Sequence, residues 1–256
     1  DLARIKAHLQ QAPWSAGYLA LKNDHYSSLT YQIRGGHCAK VVRDTPAQCM
    51  GEFNDDANAA YQQSLMWALS GDARYATKAI GILNAWSGTL KSIEGHDAPL
   101  AAGLNGFKFA AAAELIRYTK AGWSAHDIAA AEAMFRNVFY PVIKDFAPYA
   151  NGNWDSSCMK AMMAIGVFTD DWGLFNRSLD YYYNGSSDGA LTNYVINTTG
   201  ETQESGRDQA HTQLGIGNLA EVAEVAWAQG FDLYAAQNNR LLAGFEYVAS
   251  YNLGNT

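Results

Sequence analysis

Apolar side chains recur at every third and fourth position through most of this chain, the period of an α-helix with one buried face. From Ala57 to Leu69 the run ANAAYQQSLMWAL places apolar residues at i, i+3, i+4 and i+7. Ser70-Gly71-Asp72 breaks that helix and caps the next, which resumes the period from Ala73 to Trp86. A long Ala-rich helix is predicted over Leu100 to Tyr118, ending before Gly122. Ser124 followed by Asp127 resembles a capping box and starts a helix reaching about Tyr140, where Pro141 stops it. Trp154 to Phe168 and Trp172 to Tyr183 form a further pair. Gln203 to Gln229, closed by Gly230, and Leu233 to Tyr251 form the last.

The layout of helix, short Gly/Asp turn and helix returns about every 45 residues. Antiparallel helix pairs at that spacing predict an all-α fold, either an α-solenoid or a closed (α/α) toroid or incomplete barrel, with little strand. No short motif recurs, which disfavours tetratricopeptide and ankyrin arrays. No linker interrupts the chain and only 5 prolines are spread along it, so residues 1–256 are expected to form one domain. The long connections at 24–53, 88–98, 143–152 and 184–202 are where such a fold lines a cleft.

Composition narrows the function. Apolar residues make up 48% and charged residues 17%, enough to bury a substantial core. The 7 tryptophans and 15 tyrosines suit a carbohydrate groove as well as a core, because a sugar's C–H face stacks on a flat ring. A net charge of −7 argues against nucleic acid, which requires a basic footprint. No apolar stretch is long enough for a membrane span. Asp1 reads as a processed N-terminus. Three sequons lie close together, at Asn176, Asn184 and Asn197, and they fit a glycosylated, secreted protein. Cys38 and Cys49 flank a short loop and can pair, Cys158 sits inside an apolar helix, and no zinc spacing is present.

The segment carrying most chemistry is Gln203-Glu204-Ser205-Gly206-Arg207-Asp208-Gln209-Ala210-His211. It is too polar for a buried helical face, yet it runs straight into an apolar helix. Glu204, Arg207 and His211 at i, i+3 and i+7 share one helical face, so a carboxylate can orient an arginine fork toward a substrate carboxylate, with an imidazole one turn away. Asn151-Gly152-Asn153-Trp154-Asp155 is richer than capping requires. Tyr31-Gln32-Ile33-Arg34-Gly35-Gly36-His37 is a glycine loop. Tyr181-Tyr182-Tyr183 cannot all face one core, so one hydroxyl should reach solvent or a cleft. His96 and Asp97 read as a helix cap, as do Asp55 and Asp56; Trp86 and Trp227 read as core, and His8, His25 and His126 as surface.

The strings QESGRDQAHTQLG, EVAWAQGFDLY and NNRLLAGFEYVASYNLGN, supported by DDANAAYQQSLMWALSGDARYATKAIGILNAW and NGNWD, resemble the alginate-lyase superfamily of α/α-toroid polysaccharide lyases, and within it polysaccharide lyase family 38. The resemblance runs from about Arg34 to Asn255. It implies eliminative cleavage of alginate, polymannuronate or β-1,4-glucuronan by a monomer that needs no metal or cofactor. In that reading Asn153 and Arg207 neutralise the sugar carboxylate, and His211 and a tyrosine move protons. Tyr183 is the first choice, ahead of Tyr31 and Tyr194. Trp154, Arg34, Glu204, Gln203 and Tyr31 contact substrate. Trp154 replaces a family histidine and Leu214 a family tyrosine, which is why His211 and a tyrosine from elsewhere are required. Two other readings stay open. An inverting glycoside hydrolase would use Asp155 and Glu204 as its two carboxylates, and a non-catalytic protein would bind carbohydrate without turnover.

Overall fold

The computed structural model describes residues 2–254, so Asp1, Asn255 and Thr256 lie outside the described residues. Helix accounts for 67% of the structure and strand for 4%, as the periodicity required. In chain order the elements are α1 (Leu2–His8), α2 (Trp14–Asn23), β1 (Lys40–Val42), α3 (Met50–Ser70), α4 (Ala73–Thr89), β2 (Ser92–Glu94), α5 (Ala98–Tyr118), α6 (Ala125–Met134), α7 (Tyr140–Ile143), α8 (Gly152–Phe168), α9 (Trp172–Asn184), α10 (Leu191–Tyr194), α11 (Gln209–Ala228) and α12 (Ala236–Asn252). No helix among the described residues is long and apolar enough to cross a membrane. The chain divides into two compact units: residues 1–98 with 108–139, and residues 99–107 with 140–256.

In the first unit α3 and α4 pack as an antiparallel pair. Gly71 takes the left-handed conformation at the end of α3, and Asp72 accepts a hydrogen bond from the Arg74 amide to start α4, as the Ser-Gly-Asp signal predicted. Phe53, Trp86, Phe109 and Phe139 make an aromatic core, with Phe53 and Trp86 edge to face at 5.1 Å between centroids. Asp55 and Asp56 lie inside α3, not at a cap. Asp56 is fully buried and accepts from the Trp86 indole, the Tyr31 hydroxyl and the amides of Arg34 and Gly35, so one carboxylate fastens the glycine loop to the helices. Gly35 is required there, because a Cβ would sit 2.0 Å from the Trp86 ring. Cys38 and Cys49 are joined as a disulfide. The strands β1 and β2 pair in parallel, Val41 opposite Ile93.

The second unit is built around α8, buried along nearly its whole length and packed against α9 and α11. Close approach depends on glycines: a Cβ on Gly103 would lie 2.4 Å from the Ser157 hydroxyl and 2.7 Å from its carbonyl carbon. Lys160, on α8, is buried, pairs with Glu221 and lies over the Phe107 ring. Its removal from water holds its pKa below the ordinary lysine value.

Several boundaries differ from expectation. The α-helix predicted from Ser124 to Tyr140 turns into a π-helix over Phe135–Phe139; Pro141 lacks an amide donor and its ring crowds the preceding turn, which the wider winding relieves. The Ser124 cap itself forms, accepting from the Asp127 amide. Asp97 provides no side-chain cap for α5 and instead bonds His96. Trp227 is 51% exposed rather than core. The last helix begins at Ala236 rather than Leu233, and inside its first turn Gln237, Asn238 and Asn239 adopt left-handed backbone.

Replacing Gly103 with Ala should lower stability by roughly 1–3 kcal/mol, read from urea denaturation, because the clash involves backbone atoms that cannot swing away. Burial also raises the pKa of Tyr182 and Tyr194 above the free tyrosine value of roughly 10. Their folded pKa lies above the unfolded one, so their contribution is complete below about pH 10 and is lost as pH rises further. Urea midpoints should therefore fall above about pH 10, and Tyr182→Phe should flatten that fall; a Phe variant with the wild-type alkaline slope would refute the assignment.

Candidate active site

The polar string after α10 is held by its backbone before any side chain acts. The Gln203 amide donates to the Tyr194 carbonyl at 2.7 Å, Val195 and Thr202 form an isolated bridge, and the Gln203 side-chain oxygen accepts from the Gly152 amide at the start of α8. Residues 203–207 form turns, not helix, because Asp208 caps α11 and the helix begins only at Gln209. Glu204 and Arg207 still meet at i, i+3, through a turn in which the Arg207 amide donates to the Glu204 carbonyl.

Glu204 is 1% exposed, and its carboxylate collects three donors. Oε1 accepts from Asn153 Nδ2 at 2.7 Å and from Arg207 Nη1 at 2.9 Å; Oε2 lies 3.2 Å from the Tyr194 hydroxyl, whose one proton is shared with the carbonyls of Thr212 at 3.0 Å and His211 at 3.3 Å. Its main-chain oxygen accepts from the Thr212 hydroxyl. Asn153 is wholly buried and its main-chain oxygen takes a bond from Asn218, so the first turn of α8 is tied both to Glu204 and to α11. Gly215 makes room for the Tyr194 ring, since a Cβ there would lie 2.0 Å from its hydroxyl oxygen. Desolvation first, and then the Glu204 charge, raise the Tyr194 pKa, so this hydroxyl acts as a donor to Glu204 and resists ionisation.

Two groups of this cluster reach the surface. Arg207, with 42% of its side chain exposed, is held through Nη1 by Glu204 and has its Nε 4.0 Å from Asp208 Oδ2. His211, 36% exposed, bonds through Nδ1 to Asp208 Oδ2 at 2.6 Å. A carboxylate only accepts, so Nδ1 carries the proton and Nε2 is the open nitrogen. The backbone bond from the His211 amide, and then the bond to its ring, hold the Asp208 carboxyl below the usual range. Asp208 and Tyr194 are the members of this cluster to which the sequence alone assigned least; the N-cap spacing of Asp208 to the His211 amide was the readable signal for the first.

Tyr183, on α9, is 36% exposed and lines a hollow with Asn176, Asp180, Asn184 and Gln237. Its neighbours explain why, since Tyr182 fills the core and Tyr181 bonds the buried Asp155, which turns residue 183 outward. Trp154 is half-buried, edge to face with the exposed Tyr149. In the first unit, Arg34 pairs with Asp55 and lies 3.6 Å from Glu52, so its charge is engaged. The Tyr31 hydroxyl is given to Asp56, and its pKa is raised by burial and that contact. Asn153 and Glu204 are buried and bonded to each other, while Gln203 is half-buried and accepts from the Gly152 amide. Asp155 is buried and accepts from the Ala147 and Gly189 amides, so neither it nor Glu204 offers a free carboxylate for hydrolysis. His37, Cys38 and Cys49 have metal-like spacing, but both sulfurs are in the disulfide. Cys158 is buried, and desolvation raises its thiol pKa, which keeps it protonated and unreactive. Asn176 and Asn184 are exposed; Asn197 is partly covered, its amide bonded to Glu201.

Comparison with known proteins follows the same architecture. An alginate lyase from Bacteroides ovatus superposes with a TM-score of 0.73 over 98% of this chain and 81% of its own, at 15% identity. Alginate lyase A1-III from Sphingomonas species A1 gives 0.76 over all of this chain and 78% of its own, at 16% identity. A variant of A1-III complexed with tetrasaccharide gives 0.77 over all of this chain and 77% of its own, also at 16%. At such identities the likeness establishes the fold, all-α and of the α/α-toroid class. No curated protein sequence matches the chain. The family model for alginate lyase, however, matches residues 7–256, nearly the full length, and this chain belongs to the alginate lyase family.

Proposed function

We propose that the protein cleaves a uronic-acid polymer by β-elimination, with Arg207 and His211 as its working groups. One observation carries this reading: a buried carboxylate, Glu204, fixes an exposed arginine one turn from a histidine whose Nε2 is open. The C5 proton of a uronate is barely acidic because the adjacent carboxylate is already negative. Arg207 offsets that charge, so that the enolate-like state formed on proton loss is stabilised. His211 Nε2 takes the C5 proton, the electron pair forms the C4–C5 double bond, the C4–O4 bond breaks, and the proton passes to O4.

Tyr194 is buried with its hydroxyl shared among Glu204 and the carbonyls of His211 and Thr212, and Tyr183 makes no hydrogen bond to Glu204, so the reading assigns both proton transfers to His211. A single proton carrier suits substrates in which the C5 hydrogen and O4 lie on the same side of the ring. Mannuronate and glucuronate have that arrangement and guluronate does not. Among acidic polysaccharides, polymannuronate and β-1,4-glucuronan are therefore the proposed substrates. Secretion as a glycosylated monomer is also proposed, supported by the Cys38–Cys49 disulfide and by the exposed sequon at Asn184.

Incubation with polymannuronate or glucuronan should raise ultraviolet absorbance as the unsaturated product forms. Flat absorbance with both, and with polyguluronate, would sink the lyase reading; reducing-sugar release without absorbance would indicate hydrolysis. Arg207→Ala should lower kcat by about 10²–10³-fold, and Arg207→Lys should recover little because the planar fork is lost. His211→Gln should cost about 10²–10⁴-fold in kcat with a folded protein by circular dichroism. Glu204→Gln removes the charge shared by Asn153, Arg207 and Tyr194, and should lower both activity and thermal stability, the latter by roughly 1–3 kcal/mol.

A further inference from the structure

Asp208 makes two bonds with its two oxygens, and they are not interchangeable. Oδ1 accepts the backbone amide of His211 at 2.8 Å, capping α11, and Oδ2 accepts the Nδ1 proton of the same residue's ring at 2.6 Å. The Asp208 main-chain oxygen accepts from the Thr212 amide, and Arg207 Nε lies 4.0 Å from Oδ2, so backbone and charge hold the carboxylate in one orientation. We propose that Asp208 is a positioning residue that fixes the neutral His211 ring as the Nδ1–H tautomer and so keeps Nε2 unprotonated toward substrate. This deepens the lyase reading above and rests on it for its catalytic consequence, while the tautomer itself stands on geometry alone.

In Asp208→Asn the side-chain oxygen must stay on the His211 backbone amide, because that group can only donate. The new amide nitrogen is thereby forced onto His211 Nδ1, which must become an acceptor, and the ring proton moves to Nε2. The cap survives, since Asn caps helices as well as Asp, but the open nitrogen is no longer a base. Asp208→Ser also keeps a capping oxygen, yet it leaves Nδ1 to solvent and imposes no tautomer.

The test combines nitrogen-15 long-range spectra of the histidines in the full chain, with the His211 signals identified by their loss in His211→Gln, and steady-state kinetics on polymannuronate. Wild type should show an unprotonated Nε2 and Asp208→Asn an unprotonated Nδ1. Asp208→Asn should lose at least about 100-fold in kcat with KM changed less than about threefold, and Asp208→Ser should lose less than Asp208→Asn. An unprotonated Nδ1 in wild type, an unaltered tautomer in Asp208→Asn, an altered tautomer with unchanged kcat, or a serine variant as impaired as the asparagine one would each overturn the proposal. If wild type releases no unsaturated product from any uronate, the lyase reading fails instead, and the spectra still decide the tautomer.

Discussion

A carboxylate stripped of water must be met by donors, and the candidate site is arranged around meeting that need for Glu204. Asn153 arrives from the first turn of α8, Tyr194 from the end of α10, and Arg207 from the turn before α11. Each donor is held by the need of the charge it contacts, so the geometry of the exposed arginine is fixed from below by buried groups. The cost of breaking such a set falls on whichever partner is left unpaired, which is why a buried network specifies one arrangement.

The same device appears in the first unit. Asp56, mid-helix and fully buried, gathers the Trp86 indole, the Tyr31 hydroxyl and two loop amides, tying down the loop that contains Arg34. Asp155 does likewise for residues 147, 181 and 189. Three buried carboxylates thus fasten loops to helices, while the reacting groups are assigned to partly exposed arginine and histidine. The chemistry follows from this division. A buried, saturated carboxylate is a poor hydrolytic acid or base, whereas an arginine anchored at one end is well suited to receive a sugar carboxylate.

Much of this could be read along the chain. Helical period, the Gly71–Asp72 and Ser124 punctuation, and the unusually polar approach to α11 required only local rules, and they gave the all-α class and the segment 203–211 as the place to look. The period-based reading went astray where local chemistry competes with winding. Asp208 caps and starts the helix later than the apolar pattern suggests, and Pro141 diverts α6 into a π-helix.

Which tyrosine joins the site was beyond the sequence. Tyr31, Tyr183 and Tyr194 are chemically equal in one dimension; packing sends Tyr183 outward, hands Tyr31 to Asp56 and buries Tyr194 against Glu204. The sequence by itself determined the helical class and marked the segment that holds Glu204, Arg207 and His211, because short-range periodicity and spacing are local properties. Only the tertiary structure decided that Asn153 meets Glu204 across 51 residues and that Glu204 and Asn153 are interior while Arg207 and His211 are not. Burial depends on what the rest of the chain brings alongside, and burial is what separates a group that holds a site from one that can act in it.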